Sequence, residues 1–300
     1  MLAIIIPYYK LRFFEATLQS LANQTDQRFK VYIGDDASPE TPEILLEKFK
    51  GQFDFVYHRF DNNIGGISLT QQWERCIALS GNEEWIMILG DDDMLGENVV
   101  DEFNRNLPEI ERETINLVKF ATQSIDKVKN SVSKIFVNPK FEKATDFYYR
   151  RYLGLVRSSL SEHIFRRESY LKYAFQNYPL AWHSDDYAWI NFAENKPIFS
   201  INEALVLITV SNESLTGINN NLFEKNRAEC FFFMDLIKNK LNLFQRKQRI
   251  KLLLQAEVSI KKNRKLSLSE WGVLFIQYLN IFFIFNMLKF IRRFLKSFFQ

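Results

Sequence analysis

Cysteine is scarce: Cys76 and Cys230 are the only two in 300 residues, and neither belongs to a C-x-x-C pair. That excludes a disulfide framework and a cysteine-based zinc site, and it fits a reducing cytosol. Histidine is nearly as rare, with three. The stretch Met1-Leu-Ala-Ile-Ile-Ile-Pro7 has no basic n-region and is too short an apolar run to read as a secretory leader; the expectation is a first strand. No Gly-rich, Lys/Arg-containing phosphate loop lies near the amino terminus. Net charge is only +3, but it is unevenly spread. Residues 222–300 hold 16 Lys/Arg against 5 Asp/Glu, a balance of +11, whereas residues 1–221 hold 23 against 31, a balance of −8. An acidic front with a basic tail implies that the tail meets something anionic, membrane or nucleic acid. Nucleic acid is disfavoured, because the tail is dominated by Phe, Leu and Ile rather than by an aromatic-studded polar groove.

What is present is ample core material, 47% hydrophobic residues with 29 Phe, enough for one large domain or a catalytic domain with a smaller appendage. The chain turns on residues 85–95. Trp85-Ile-Met-Ile-Leu89 reads as a buried strand, Gly90 lets the backbone turn, and Asp91, Asp92 and Asp93 follow at once. In open α/β sheets, ligands bind outside the carboxyl ends of strands. Two unit charges ~4 Å apart at an effective dielectric of 20 repel by about 4 kcal/mol. A divalent cation turns that cost into binding, and hard oxygen ligands suit Mg²⁺ or Mn²⁺, with a phosphate completing the shell. The competing reading is a solvated acidic loop leading into a helix near Glu97.

In chain order, the patterning predicts strands at 3–6, 30–33, 53–60 and 85–89, with helices at 13–22, from Thr41-Pro42 to about Lys50, and at 68–79. Four alternations of strand and helix predict an α/β fold, a mostly parallel central sheet with helices on both faces. Asp35-Asp36, Asn62-Asn63-Ile-Gly65-Gly66 and Asp91–Asp93 each follow a strand, so all should project from one sheet edge. Asp35 is either an Asx-type turn residue or an acceptor for a nucleobase N–H. Gly65 and Gly66 mark either a plain turn or close backbone approach to a ligand. Farther on, 115–121, 134–137 and 203–210 read as strands and 145–153 as an aromatic, Arg-rich helix. Arg166 and Arg167 read as surface residues rather than ligands.

These segments together resemble family 2 glycosyltransferases, which have the GT-A fold. Ile5-Ile-Pro-Tyr-Tyr9, Leu18-Gln-Ser-Leu-Ala-Asn-Gln-Thr25, Gly34-Asp-Asp-Ala-Ser38, Asn63-Ile-Gly65 and Leu89-Gly-Asp-Asp-Asp-Met-Leu95 come in that family's order and spacing, over roughly residues 1–215. The resemblance implies inverting transfer of a sugar from a nucleotide diphosphate-sugar, typically a UDP-sugar, to an acceptor hydroxyl in surface polysaccharide or oligosaccharide synthesis. It implies that Pro7, Tyr9, Asp35, Asp36, Asn63, Gly65, Gly66 and Asp91 meet the nucleotide-sugar, Asp35 at the base and Asp36 near the ribose. The aspartate cluster, as the family's DxD motif, would hold Mn²⁺ or Mg²⁺ on the diphosphate. The commonest family pattern has an aspartate where Gly90 stands. Asp92 then matches the usual metal ligand, with Asp91 nearer the sugar or ribose; alternatively Asp91 and Asp93 form the DxD.

Trp182-His-Ser-Asp-Asp-Tyr-Ala-Trp189 is the second chemical stretch. Ser184 reads as an N-cap, which puts Asp185 and Asp186 in a first helical turn, where they would complement the helix dipole. The run also resembles the family's Glu-Asp motif, which maps Asp185 to the glutamate and Asp186 to the catalytic base. His183 is a candidate for the metal, with Asp92 and Asp93, or for the phosphates; packing beside Trp182 is the competing reading. His58 and His163 are assigned no role. Many family members carry a cation at the end of the strand read here as 203–210. The matching positions here, near Thr209 and Val210, have none.

The organisation expected is a catalytic domain over 1–220, a helical extension over 221–265 and apolar, basic helices over 266–300. From Trp271 to Leu288 no residue is charged, about the ~18 residues at which a spanning helix is considered. Lys289, Arg292, Arg293 and Lys296 oppose Ile291, Phe294, Leu295 and Phe298, the pattern of a helix lying in a membrane interface. The expectation is a cytoplasmic enzyme, peripheral on the inner face of the cell membrane, with a glycan or lipid-linked glycan acceptor and no nucleic-acid partner. The rival readings are a nucleotidyltransferase, which lacks its phosphate loop here, and a catalytically silent nucleotide-sugar-binding scaffold tethered by the tail.

Overall fold

The structure, a computed structural model, describes residues 1–212, 214, 221–281 and 284–297. Parts of the 211–217 loop, residues 282–283 and Phe298 therefore lie outside the described residues. The chain forms two compact units, Met1–Asn177 with Ser184–Asn219, and Tyr178–His183 with Asn220–Gln300.

In the first unit β1 (Leu2–Tyr8), α1 (Phe14–Ala22), β2 (Phe29–Asp35), α2 (Glu43–Phe49), β3 (Phe55–Arg59), α3 (Leu69–Ile77) and β4 (Trp85–Ile88) alternate. Leu2 to Ile6 are all buried, as a strand covered on both faces requires. β1 pairs in parallel with β2 on one side and β4 on the other, and β3 pairs in parallel with β2. The rest of the unit comprises β5 (Met94–Leu95), α4 (Val99–Arg112), β6 (Leu117–Asp126), β7 (Ser131–Val132), β8 (Phe141–Lys143), α5 (Ala144–Tyr152), β9 (His163–Arg166), α6 (Arg167–Tyr173), α7 (Ser184–Phe192) and β10 (Pro197–Val210). The sheet runs β3-β2-β1-β4-β9-β6-β10-β5. β9 is antiparallel to both neighbours, β6 and β10 are parallel, and β5 is antiparallel to β10.

Alternation along the strands sorts two cores. Ile4, Ile6, Val31, Ile33, Met87 and Leu89 face the buried residues of α1, α2 and α4. On the opposite face Gly34 abuts Cys76 of α3, so closely that a Cβ would collide with the thiol. There Phe165 meets Phe192 at 5.1 Å, Phe175 meets Trp73 at 5.3 Å, and His163 stacks on Trp189 at 4.2 Å. Burying each such side chain contributes roughly 1.5–3 kcal/mol.

Several expectations shift. The segment 134–137 is not a strand; only Phe136 bridges to Thr122, and the short β7 precedes it. The last strand begins earlier, at Pro197, with a register shift between Ile201 and Leu205 that hid it from a period-two reading. Ser184 is the first residue of α7 rather than a residue ahead of it, which leaves Asp185 and Asp186 in the first turn. Ser68, read as the first residue of the helix, is its N-cap, accepting from Gln71 N.

The second unit holds α8 (Leu222–Asn239), α9 (Arg246–Lys261), α10 (Leu268–Ile281) and α11 (Ile284–Lys296). Glu257, buried on α9, pairs with Arg293 of α11 at 2.9 Å. Trp271 of α10 packs on Phe290 and Phe294. Arg293 and Phe294 thus face inward, although the sequence pattern puts them on opposite faces. No helix among the described residues is long and apolar enough to cross a membrane.

Candidate active site

The acidic stretch after β4 is bracketed by two pairings. β4 belongs to the middle of the sheet and β5, only six residues on, to its far edge on β10. The intervening loop must therefore run along the carboxyl ends of the strands. There the three aspartates have three different surroundings. Asp91 Oδ2 accepts from Tyr9 N and Lys10 N, both at 2.8 Å, which ties the end of β1 to the end of β4. Asp93 accepts from Thr209 N at 2.9 Å and from the Ser161 hydroxyl, and is buried. Asp92 accepts from no other residue among the described residues. Burial, then the charges of Asp93 and Asp91, push Asp92 up to about 8. Burial also pushes Asp93 up, to about 6, against its two hydrogen bonds and the charge of Arg157. Gly90, where the usual family pattern has an aspartate, is tightly placed: a Cβ there would lie 3.0 Å from Asp93 Oδ2 and 3.1 Å from Asp92 Oδ1.

The pair after β2 is differently placed. Asp35 is wholly buried and accepts from Ser38 N at 2.7 Å, Tyr57 Oη at 2.6 Å and Arg59 Nη1 at 2.7 Å. Asp36 accepts from Ile64 N at 2.8 Å and Gly65 N at 2.9 Å, and pairs with Arg75. A Cβ on Gly65 would collide with that carboxylate, so a larger residue there would displace Asp36 from its place. Asn63 Oδ1 accepts from Gly66 N at 2.7 Å, closing the loop on itself. Asp35 and Asp36 thus act first as anchors, Asp36 fixing the 63–66 loop beside the end of β1, where Asp36 N also donates to Tyr8 O. Tyr9 is exposed and Pro7 half-buried at the same edge.

At the start of α7, Asp186 is buried and pairs with Arg151 of α5 at 2.9 Å. Asp185 is half-buried; burial and the charge of Asp186 push it up to about 7, with Arg151 opposing. Between this pair and Asp93 lies Glu162, fully buried, 3.7 Å from Lys119 and 3.8 Å from Arg157. Burial alone would raise Glu162, but those two cations hold it below the usual carboxylate range. Its charge is felt by both Asp93 and Asp185. A cation thus stands near the end of β10 after all: Arg157, from the loop before β9.

Arg59, Arg75, Arg151, Arg157 and Ser161 are the site residues that sequence reasoning missed. Arg59, Arg75, Arg151 and Ser161 are far in sequence from the carboxylates they serve, whereas Arg157 lies five residues from Glu162; only the Arg-rich character of the helix holding Arg151 hinted at one. Arg166 and Arg167, read as surface residues, are instead largely buried and tied into the protein. Arg166 pairs with Glu84 and Glu111 and lies over the Trp85 ring, and Arg167 donates to Glu83 O. His163 is buried, with Nδ1 2.9 Å from Ser159 O, and burial lowers it to about 3. His183 belongs to the helical unit, where its ring stacks on Phe232 at 4.6 Å. No group of three or more His, Cys, Asp or Glu side chains among the described residues forms a metal cage. That is compatible with an octahedral cation held by one or two carboxylates plus substrate phosphates, for which Asp92 is the free donor.

The model of the family described as glycosyl transferase family 2 matches residues 3–170. No curated protein sequence matches the chain significantly. Among solved structures, S. aureus TarS 1–349 in complex with UDP-GlcNAc is similar at 12% identity with a TM-score of 0.65, covering 93% of this chain and 80% of that one. TarS 1–349 in complex with UDP is similar at 13% identity with a TM-score of 0.61, covering 94% and 80%. Full TarS is similar at 13% identity and a TM-score of 0.60, with 48% of its own length covered. At such identities the likeness concerns the fold, the GT-A arrangement of the sheet described above.

Proposed function

Since the chain belongs to glycosyl transferase family 2, we propose that it moves a hexosyl group from a UDP-sugar to an acceptor hydroxyl, with inversion, in surface polysaccharide or oligosaccharide synthesis. The observation that carries this reading is Asp92: a carboxylate that accepts no hydrogen bond from another residue among the described residues, at the carboxyl end of β4, crowded by two more, with the charge of Lys10 opposing. Members of the family commonly use a divalent metal. Asp92 would hold Mn²⁺ or Mg²⁺, and the cation supplies neutralisation of the departing diphosphate. Asp93, its oxygens taken by Ser161 and Thr209 N, keeps the loop in place. Asp91 does the same for the Tyr9–Lys10 backbone, which with Pro7 and the Asn63–Gly66 loop would line the donor. Arg157 would face the diphosphate, in place of the cation missing from the end of β10.

The acceptor oxygen attacks the anomeric carbon from the face opposite the diphosphate. Its proton passes to a carboxylate, the bond from carbon to the phosphate oxygen breaks, and UDP leaves with the electron pair. General-base help is typically worth about 10²–10⁴-fold. The base would come from the Asp185–Asp186 pair. The family pattern assigns Asp186; the Arg151 ion pair and the partial exposure of Asp185 favour a division of labour in which Asp186 is held and Asp185 meets the acceptor. Because the two interact, any pH profile belongs to the pair.

The helical tail would rest on the inner, cytoplasmic face of the cell membrane, where a lipid-linked glycan is presented. Its support is the exposed apolar set on α10 and α11, with Phe285 79% and Leu288 58% exposed, beside the basic residues of α11.

A panel of nucleotide sugars, UDP-GlcNAc among them, tests the function with Mn²⁺ present and with chelator. The expected outcome is metal-dependent release of UDP, stimulated by one acceptor. Release of pyrophosphate from a nucleoside triphosphate would instead indicate a nucleotidyltransferase, and tight UDP binding without turnover would indicate a silent scaffold.

A further inference from the structure

A cavity of about 570 Å³ lies wholly inside the helical unit, between the end of α9, the start of α10 and the end of α11. Five cations line it: Lys261, Arg264, Lys265, Arg293 and Lys296. Among the described residues none of the lining side chains is acidic. Two carboxylates stand behind the wall. Glu257 pairs with Lys261 at 2.6 Å and Arg293 at 2.9 Å, and Glu270 grips Arg264 through both oxygens at 2.6 and 2.8 Å. The Arg264 guanidinium, with help from Ser267, holds Glu270 down at about 2. Lys265 and Lys296 have no acidic partner among the described residues, so five positive charges face two negative ones. The floor is aromatic: Trp271 packs on Phe294 at 5.3 Å and lies under the Lys261 ammonium at 5.3 Å.

Such an open, solvent-reached pocket takes an anion with several oxygens, because Arg and Lys donors converging on one concavity suit phosphate. The surroundings narrow the source. Leu268, on the cavity wall, is 72% exposed, and Leu288, Ile291 and Leu295 recur on α11 at three- and four-residue spacing, all exposed. Charge that can engage a phosphate and apolar surface that can meet acyl chains occur together in one unit. We propose that this cavity is a headgroup site for an anionic phospholipid, one phosphate held by Lys265, Lys296 and Arg264 while the lipid chains meet the exposed leucines. The proposal rests on the reading that the tail contacts membrane, and converts it from diffuse attraction into a defined site.

The full chain is sedimented with vesicles of phosphatidylcholine alone and of phosphatidylcholine and phosphatidylglycerol in equal parts. At about 1 kcal/mol per cation near an anionic surface, the double variant Lys265→Ala/Lys296→Ala is expected to lose roughly 30-fold in affinity for the anionic vesicles. Among the described residues neither lysine has an ion pair to lose, so the fold is expected to be retained, and an unchanged melting temperature checks this; Lys265→Gln/Lys296→Gln repeats the test without shortening the side chains to alanine. The control Lys247→Ala/Lys251→Ala removes two exposed lysines of α9 that do not line the cavity, and is expected to lose less than about threefold if attraction is not diffuse. Equal losses in the two double variants would overturn the site. So would thermal stabilisation by inorganic phosphate without any preference for anionic vesicles, which would mark a free-phosphate site. Equal binding to both vesicle types, untouched by the cavity variant, would overturn the headgroup site yet leave membrane contact standing. Failure to bind any vesicle would remove both.

Discussion

β1 is flanked by β2 and β4, and each neighbour ends in an acidic run, yet the two runs do opposite things. After β2, Asp35 and Asp36 are saturated by Ser38 N, Tyr57, Arg59, Arg75 and the Ile64 and Gly65 N–H groups. After β4, the outer residues Asp91 and Asp93 each accept two hydrogen bonds from other residues while Asp92 between them accepts none among the described residues, and burial makes its charge costly. The lesson is that aspartates at one sheet edge divide into those that build the site and those left for a ligand, and that hydrogen-bond accounting separates them where sequence position does not. The α7 pair repeats the division within two residues, Asp186 held by Arg151 and Asp185 half-buried.

The comparison is open to breakage at several points. The largest effect is expected at α7: Asp185→Asn, which removes the carboxylate that meets the acceptor, should lower turnover by about 10²-fold or more with little change in donor binding, measured as kcat against UDP affinity, while Asp186→Asn, which breaks the Arg151 pair, should lose less. A change confined to binding would detach the pair from the chemistry. Next, Asp36→Ala should destabilise the fold by about 3 kcal/mol, read from denaturant midpoints, because it strands Arg75 and two backbone N–H groups at a buried position. Asp92→Asn should do the reverse in the absence of metal. A carboxyl raised to about 8 when folded contributes stability below its unfolded value near 3.8, and that contribution is lost as pH rises through 8. Removing the charge should therefore raise stability at pH 8, by about 1–2 kcal/mol after allowance for solvent screening. The smallest effect concerns pH. With Asp185 raised to about 7 by burial and the charge of Asp186, turnover should fall about tenfold per unit as pH drops below 7, as the Asp185–Asp186 pair takes up a proton, read from the rate profile.

Much of this architecture was legible beforehand. The buried apolar run Leu2–Ile6 and the alternation through Trp85 carried the parallel half of the sheet, and the polar loops after the strands marked the site edge. Hydrophobic period could not carry β5, two residues long, or the early start of β10, where the register slips at Ile201/Leu205. The acidic residues were visible because aspartates cluster along the chain. Their partners were not, because Arg151 is 35 positions from Asp186 and Ser161 is 68 from Asp93. The amphipathic stripe on α11 was visible, but its inward and outward faces were assigned incompletely, since Arg293 turns toward buried Glu257.

Calorimetric titration of UDP into the wild type and into Asp92→Asn, each with Mn²⁺ and with chelator, is the most direct check that Asp92 is the carboxylate kept for the donor's metal. Wild-type affinity is expected to rise about tenfold or more with Mn²⁺, and the variant to show the same weak binding in both conditions. Mn²⁺ strengthening UDP binding equally in both proteins, or in neither, would contradict it.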